Sequence, residues 1–483
     1  MPSHTASGMN IESSNPAANT SLITEWWTPR LAGPVIAAAV VRLALLVVTL
    51  ARNGTSALIQ LDSATYLEPG RNLLLHGRFV VDGIPDLLRT PGYPLFLAIT
   101  SLAGLTAAAV VNVILSVFSV FLVWRLGRVV SGEDRIALCA AWIFAFEPMS
   151  VVHSVCLASD TLFLTLYLLS MERLAVFLRS RRLPALVAAG LWLAAATFVR
   201  PVSYYLPVAL AIGLFVVLAR KHSIRWKAPA LLLIGVMPWL AAWQIRNRIE
   251  TGYNGFSSIS DVNLYFLTAA EVTARVEHRP WLEVRNELGY LGGQDYKQQA
   301  YLYQPYLTRN PKQAGWSQGQ RLAFMHAEAI RVIRTNYGVY IHYCLLTPLF
   351  KTVFNPGAGN YDSLLHLEGF NLTTNIVEDG PVSMAFSLAK AHPWVATEKA
   401  AFEVVLLGLY LLAIRGIFHE GIYRSCLWLL LGTSLYFYAV TGVGGGPGAD
   451  ARYRLPIMPA VCILAAAGAR RTKLTTVPAS AYL

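Results

Sequence analysis

Asp62 and Asp160 are the two carboxylates of this sequence best placed to do chemistry, and Arg89, Arg200, Arg246, Arg452 and Arg454 are the cations that could share a ligand with them. Each borders an apolar run in a chain where charge is scarce. A carboxylate so placed can accept a proton as a general base. An arginine held in a stiff segment presents a planar fork of donors that matches phosphate. Arg89 precedes "TPGYP", where two prolines and a glycine leave little helix and fix the local backbone. Tyr66 lies four residues after Asp62 and shares its face if the stretch is helical, and Tyr93 lies within the proline-rich segment, so these two are the candidate substrate-binding aromatics. Plainer readings exist for each. Asp62 in "LDSATYL" suits a helix N-cap, Asp160 in "LASDTLF" meets the positive end of a helix dipole, and a span-end arginine can snorkel. Glu147 in "FEPM" and His153 in "VVHS" occupy one link but have no spacing of their own that signals metal or acid-base work.

The elements that must position these residues are membrane spans. The chain is 55% apolar and 14% charged, and apolar stretches of roughly 18 to 20 residues, long enough to cross a bilayer, recur along it. Spans are expected at Leu31 to Ala51, Thr106 to Leu126, Ile136 to Ser154, Thr161 to Leu178, Pro184 to Val199, Ser203 to Ala219 and Ala228 to Ile245. Three more follow at Ala401 to Phe418, Ile422 to Val440 and Leu455 to Ala469. The formal charge of +12 is not a nucleic-acid signature, because the basic residues cluster in short links between apolar runs. "RLGRVVSGEDR", "RSRRLP", "ARKHSIRWK", "IRGIFHEGIYR" and "ARRTK" all fall on one side under strict alternation, and the positive-inside rule makes that side the cytoplasm. Every candidate residue then falls on the other face, where its arginines run against the charge trend.

This reading divides the chain into a disordered cytoplasmic tail at 1–28, a transmembrane catalytic module at 29–245 with a first outer loop at 52–105, and an outer α or α/β region at 246–399. Transmembrane helices at 400–470 and a cytoplasmic tail at 471–483 complete it. Within the outer region, "YGVYIHYCLLTPLFKTVF" at 337–354 is expected to lie in the interface, since one extra crossing would expose the last basic loops outside. "YPLFLAITSLAGL" is too short to cross comfortably and reads as a half-helix at the outer surface. Outer-region aromatics, among them Tyr253, Tyr265, Trp281, Tyr301, Tyr303, Tyr306 and Trp316, could stack on sugars or sit in the headgroup belt. The five cysteines are scattered without paired spacing, so neither a disulfide framework nor a zinc site is implied.

An outer-loop Asp followed by "RTPGYPLFLA", then "LASDTLF", "VRPVSYYLP", "MPWLAAWQIRNR" and a late "ARYRLPIMP" resembles the GT-C membrane glycosyltransferases. The likeness is to the branch of bacterial family-39 enzymes, aminoarabinose transferases and rhizobial galacturonosyltransferase-like proteins, and it runs from Leu31 to Ala469. It implies an all-α polytopic bundle of about ten or more transmembrane helices in the inner (plasma) membrane, with its active site on the periplasmic or exterior face. It also implies a polyprenyl-phosphate sugar as donor, no catalytic metal and no cofactor. Asp62 takes the place of the family's first-loop Asp, Arg89 that of its phosphate-binding basic residue, and Asp160 that of a second acid. The sequence departs by inserting Pro69 and Gly70 where relatives continue a helix.

On that resemblance Asp62 would be the base of an inverting transfer to a glycolipid, polysaccharide or protein acceptor. Arg89, with Arg200, Arg246, Arg452 and Arg454, would hold the donor phosphate. Asp160 would orient the acceptor or pair with an arginine. Two other classes compete. A lipid or solute transporter would need charges near the bilayer midplane, and beyond Glu172 and Arg173 few are evident. An O-antigen ligase or polymerase would place its key residues in a large later loop.

Overall fold

The computed structural model describes residues 27–59, 62–219, 222–290, 299–367, 389–390, 392–448 and 450–470. The expected tails, 1–28 and 471–483, lie outside these apart from Trp27 and Thr28, as does much of the end of the outer region.

The chain is an all-helical polytopic membrane protein. Among the described residues six helices are long and apolar enough to cross a bilayer, and a bent pair makes a possible seventh. In chain order the elements that matter are α1 (Ala32–Asn53), α2 (Ala64–His76), a ribbon of β1 (Val80–Val81) and β2 (Ile84–Pro85), and α3 (Gly92–Thr100). Then come α4 (Leu105–Ser131), α5 (Asp134–Ala145), α6 (Pro148–Val155), α7 (Asp160–Ser180), α8 (Pro184–Val199), α9 (Leu206–Val217) and α10 (Lys227–Thr251). The later part contributes α11 (Gln318–Thr335), α12 (Thr347–Phe354), α13 (Pro393–Ile417), α14 (Arg424–Gly445) and α15 (Met458–Gly468). The two-stranded ribbon is the only sheet among the described residues. The expected outer region is therefore helical where it is described.

Outward rows such as Ile36, Val40 and Val47 on α1, and Val404 and Leu411 on α13, are exposed. Apolar exposure of this kind suits a surface solvated by lipid, in which helices satisfy their own backbone groups. Inside, α4 is the hub: it packs on α1, α5 and α7, while α7 continues to α8 and α8 to α10. The C-terminal helix α15 packs on α13 and returns to α5. Small residues allow that return. A Cβ at Gly416 would meet the Leu464 carbonyl oxygen at 1.8 Å, and one at Gly468 the Leu412 carbonyl oxygen at 1.9 Å. This closure brings the segment before α15, with Arg452, beside the loop that follows α1.

The expected third span, Ile136 to Ser154, is broken into α5 and α6, which meet at 54°. Pro148 starts α6 at a position that tolerates proline, and the Glu147 carboxylate accepts the Ser150 N–H at 2.5 Å as its N-cap. α1 also carries a charge that hydropathy alone passes over. Arg42 is fully buried, yet it donates to Ser116 Oγ at 2.7 Å, Ser150 Oγ at 2.8 Å and the Ala145 carbonyl at 2.8 Å. Its donors tie α1 to α4, α5 and α6, an arrangement that fits a structural role for an intramembrane arginine. Arg125 on α4 and Glu172 on α7 form a second buried pair at 2.7 Å.

The helical stretch from Tyr337 to Phe354 is not among the helices long and apolar enough to span. Tyr337, Ile341, Leu346, Phe350 and Phe354 are exposed along one side, while Cys344, Pro348 and Thr352 face inward.

Candidate active site

The segment between α1 and α3 owes its shape to two local features. Asp82 and Gly83 both take positive φ, which makes the two-residue turn that pairs Val81 with Ile84. Past the ribbon, Leu87 and Leu88 plunge into a second hydrophobic core, among Tyr265, Phe266, Tyr301, Tyr306 and Leu322. Tyr265, Tyr301 and Tyr306 thus pack this core and are not free to stack on a sugar or line the headgroup belt. The Ser258 N–H donates to the Leu87 carbonyl at 2.8 Å and Ser257 Oγ to the Leu88 carbonyl at 2.7 Å. Arg89 follows immediately from this clamped segment.

Asp86 completes the clamp and was not singled out in the sequence. Its carboxylate accepts from the Leu88 N–H at 2.8 Å, the Arg89 N–H at 3.4 Å and Gln299 Nε2. Burial pushes its pKa from 3.8 up to about 6, against the opposing pull of those hydrogen bonds and of Arg89.

On the other side of Arg89, α3 begins at Gly92. A Cβ there would meet the Phe198 carbonyl carbon and oxygen at 2.7 Å, so only glycine lets this loop lie against the end of α8, two residues before Arg200. Gly70 plays the same part on α2, where a Cβ would meet the Pro94 carbonyl oxygen at 2.1 Å. The helix continues through Pro69 and Gly70, and the missing side chain of Gly70 lets α2 and α3 approach.

Six of the sequence-predicted residues converge. Asp62 Oδ1 accepts from Arg89 Nη2 at 2.9 Å, and Asp62 Oδ2 lies 3.1 Å from Arg452 Nη2. One carboxylate thus bridges two guanidiniums from distant parts of the chain, with its side chain 20% exposed. Asp160, at the first turn of α7, is paired with Arg200 from the α8–α9 turn. Arg200 and Arg452 are near enough for each to feel the other's charge. Tyr66 knits the two pairs together: its hydroxyl lies 3.2 Å from Arg89 Nη1 and 3.3 Å from Ser159 Oγ, and the guanidinium of Arg89 sits over its ring at 4.5 Å. Arg89 Nε also donates to Thr65 Oγ1 at 2.8 Å.

Ser63 rather than Asp62 occupies the N-cap position of α2, and its hydroxyl donates to the Leu157 carbonyl at 2.6 Å. The Leu157 N–H in turn donates to the Leu58 carbonyl at 2.9 Å. The links after α1 and after α6 are therefore stitched together, which fixes the two acids relative to each other.

Three predicted residues stand apart from this cluster. Arg454 is buried and turned to the C-terminus of α12, where it donates to the carbonyls of Thr352 at 3.3 Å and Pro356 at 3.1 Å and to that of Asn355. Arg246 is spent on the loop itself: it donates to the carbonyls of Phe79 at 3.0 Å and Asp86 at 3.3 Å and pairs with Glu250 at 2.6 Å. Tyr93 is fully buried and supports Tyr66 edge-on, ring centroids 4.8 Å apart, so it has no surface for a substrate. Among the described residues no group of three or more His, Cys, Asp or Glu side chains converges as a metal site would require.

The arrangement can bind an anion between Arg89, Arg200 and Arg452 and hold a carboxylate within reach of it. Residues 90–243, from just after Arg89 to the last turns of α10, match the family of dolichyl-phosphate-mannose-protein mannosyltransferases. This match bears out the likeness to GT-C membrane glycosyltransferases. No curated protein matches the chain. Among solved structures, the crystal structure of ArnT from Cupriavidus metallidurans in the apo state is similar at 14% identity, over 90% of this chain and 77% of that one, with a TM-score of 0.39.

Proposed function

We propose that the protein is an integral-membrane glycosyltransferase that moves a sugar from a polyprenyl-phosphate donor to an acceptor hydroxyl on the outer face of the membrane. The observation that carries this reading is the Asp62 carboxylate bridged between Arg89 and Arg452, beside the Asp160–Arg200 pair. An acid poised among cations is what a reaction needs when it must accept a proton and stabilise a departing phosphate in the same small volume.

In the proposed reaction the donor phosphate engages Arg89, Arg200 and Arg452 and draws the guanidiniums away from Asp62. The freed carboxylate takes the proton of the acceptor hydroxyl. The acceptor oxygen forms its bond to the anomeric carbon as the bond from that carbon to the phosphate oxygen breaks, with the electron pair leaving on the phosphate. Preorganised donors of this kind contribute roughly 3 to 4 kcal/mol each where transition-state charge develops. A single displacement inverts the anomeric centre. Asp160 holds Arg200 in position. Tyr66 keeps Arg89 flat against its ring. The outer face follows from the basic loops at the opposite ends of the spans.

The test compares the lipid-linked sugars and envelope glycans of membranes with and without the gene, each restored with wild type or with Asp62→Asn. Loss of the enzyme should leave a polyprenyl-phosphate sugar in excess and an acceptor short of one residue, restored by wild type alone. An unchanged profile in the deletion refutes the reading.

A further inference from the structure

His153 is the buried polar side chain that the proposed reaction leaves unused. It lies on α6, one turn from the α6–α7 link, and is 7% exposed. Neither ring nitrogen has a hydrogen-bond partner among the described residues. The great majority of buried polar side-chain atoms do have one, so an unsatisfied imidazole calls for an account. Its charged surroundings are the guanidiniums of Arg452 and Arg200 and the carboxylate of Asp450. The position is rigid. The His153 carbonyl accepts from Thr161 Oγ1 at 2.9 Å, next to Asp160, and the link that follows is tied to the Asp62 loop through Ser63.

We infer that His153 is a second kind of phosphate ligand in this site, a ring N–H that binds a phosphate monoester or diester held between Arg200 and Arg452. Imidazole offers at least one N–H in either protonation state, and a phosphate oxygen is the acceptor that two neighbouring guanidiniums would draw to it. The same ligand that neutralises the two cations would satisfy the orphaned ring. The inference rests on the donor-phosphate reading above and extends it to a residue on a different helix.

The experiment uses the full chain in nanodiscs of zwitterionic lipid, with a long-chain polyprenyl phosphate as the probe and inorganic phosphate and phosphatidate as separate arms. Wild type, His153→Leu and His153→Gln are compared for affinity and for thermal unfolding without ligand. Loss of a hydrogen bond to a charged group should weaken polyprenyl-phosphate binding by about tenfold or more in His153→Leu. His153→Gln, which retains an N–H donor, should recover most of that affinity.

The unliganded His153→Leu protein should melt at or above the wild-type temperature, because the substitution removes an unsatisfied buried group. A ring that merely packs the core predicts the reverse: a lower melting temperature and unchanged affinity. Equal affinity in wild type and His153→Leu overturns the inference and leaves the donor reading standing. Wild type that binds inorganic phosphate or phosphatidate as tightly as polyprenyl phosphate overturns the donor reading, and wild type that binds none of the three overturns both.

Discussion

Asp62→Asn separates a base from a scaffold. The carboxylate sits 2.9 Å from Arg89 Nη2 and 3.1 Å from Arg452 Nη2. Asparagine keeps the size and one acceptor oxygen but no charge. One contact keeps an acceptor oxygen, while the other then faces the amide NH2, which cannot accept from a guanidinium, so a charge-assisted hydrogen bond of about 1.5–3 kcal/mol is lost there. The loss is roughly 2 kcal/mol of hold on the guanidiniums, a figure kept low because the carboxylate is partly exposed and screened. A donor phosphate must displace that hold, so it should bind the variant about tenfold more tightly or more, since about 1.4 kcal/mol is one decade. Transfer should fall at least about a hundredfold, because no proton acceptor remains. Loss of a helix cap does not confound the comparison, since the N-cap of α2 is Ser63. The assay is polyprenyl-phosphate binding to the purified variant together with single-turnover sugar transfer. Near-normal transfer refutes the assignment and makes Asp160 the next carboxylate to test. A loss of donor affinity as large as the loss of transfer would instead make Asp62 a support for the arginines.

Arg89→Ala should abolish most donor binding and Arg89→Lys retain part of it, since lysine keeps the charge but not the fork that reaches Thr65, Tyr66 and Asp62 together; equal donor affinity in wild type and Arg89→Ala counts against the role. Burial raises the Asp86 pKa from 3.8 to about 6, so the folded state holds the proton more tightly than the unfolded one. That contribution to stability is therefore present below pH 4 and lost as pH rises to about 6, by at most about 3 kcal/mol. Amide exchange of residues 79–90 should accelerate across that window in wild type relative to Asp86→Asn, and identical pH profiles would argue against a buried ionising carboxylate. In a cysteine-free background, Lys312→Cys, which is exposed, should react with an impermeant thiol reagent in intact cells; labelling only after the membrane is broken would reverse the topology.

The convergence of Asp62, Arg89, Asp160, Arg200 and Arg452 was legible because each ends or follows a span of the same parity, and parity needs only hydropathy and loop charge. Which way a span-end guanidinium turns is not a property of its own neighbourhood. Arg452 and Arg454 are two residues apart on one short helical turn, yet one meets Asp62 and the other the carbonyls at the end of α12. Asp86 was missed for the same reason: its burial depends on Gln299 and on the second core that takes in Leu87 and Leu88. Arg42 was passed over because its partners, Ser116 and Ser150, are on other helices and read locally as ordinary small residues. The Glu147 bend did carry a local signal, a proline after an acidic residue inside an apolar run, which hydropathy averaging smooths away.

In the proposed reaction the charge balance of the cluster ties the base to the leaving group. Arg89, Arg200 and Arg452 carry three positive charges, and Asp62 and Asp160 carry two negative ones, in a site where most of these side chains are largely withdrawn from solvent. The surplus of one cation matches the single charge of a phosphodiester-linked sugar donor. After transfer the leaving monoester carries close to two negative charges. If the acceptor proton were lost to solvent, the site would hold one negative charge too many, at a cost that grows as the local dielectric falls. If Asp62 keeps the proton, its own charge disappears as the second phosphate charge appears, and the three guanidiniums face one carboxylate and one dianion. The same cations can then hold donor and product without rearrangement, which is a physical reason for the base to stand between two of the arginines that receive the phosphate.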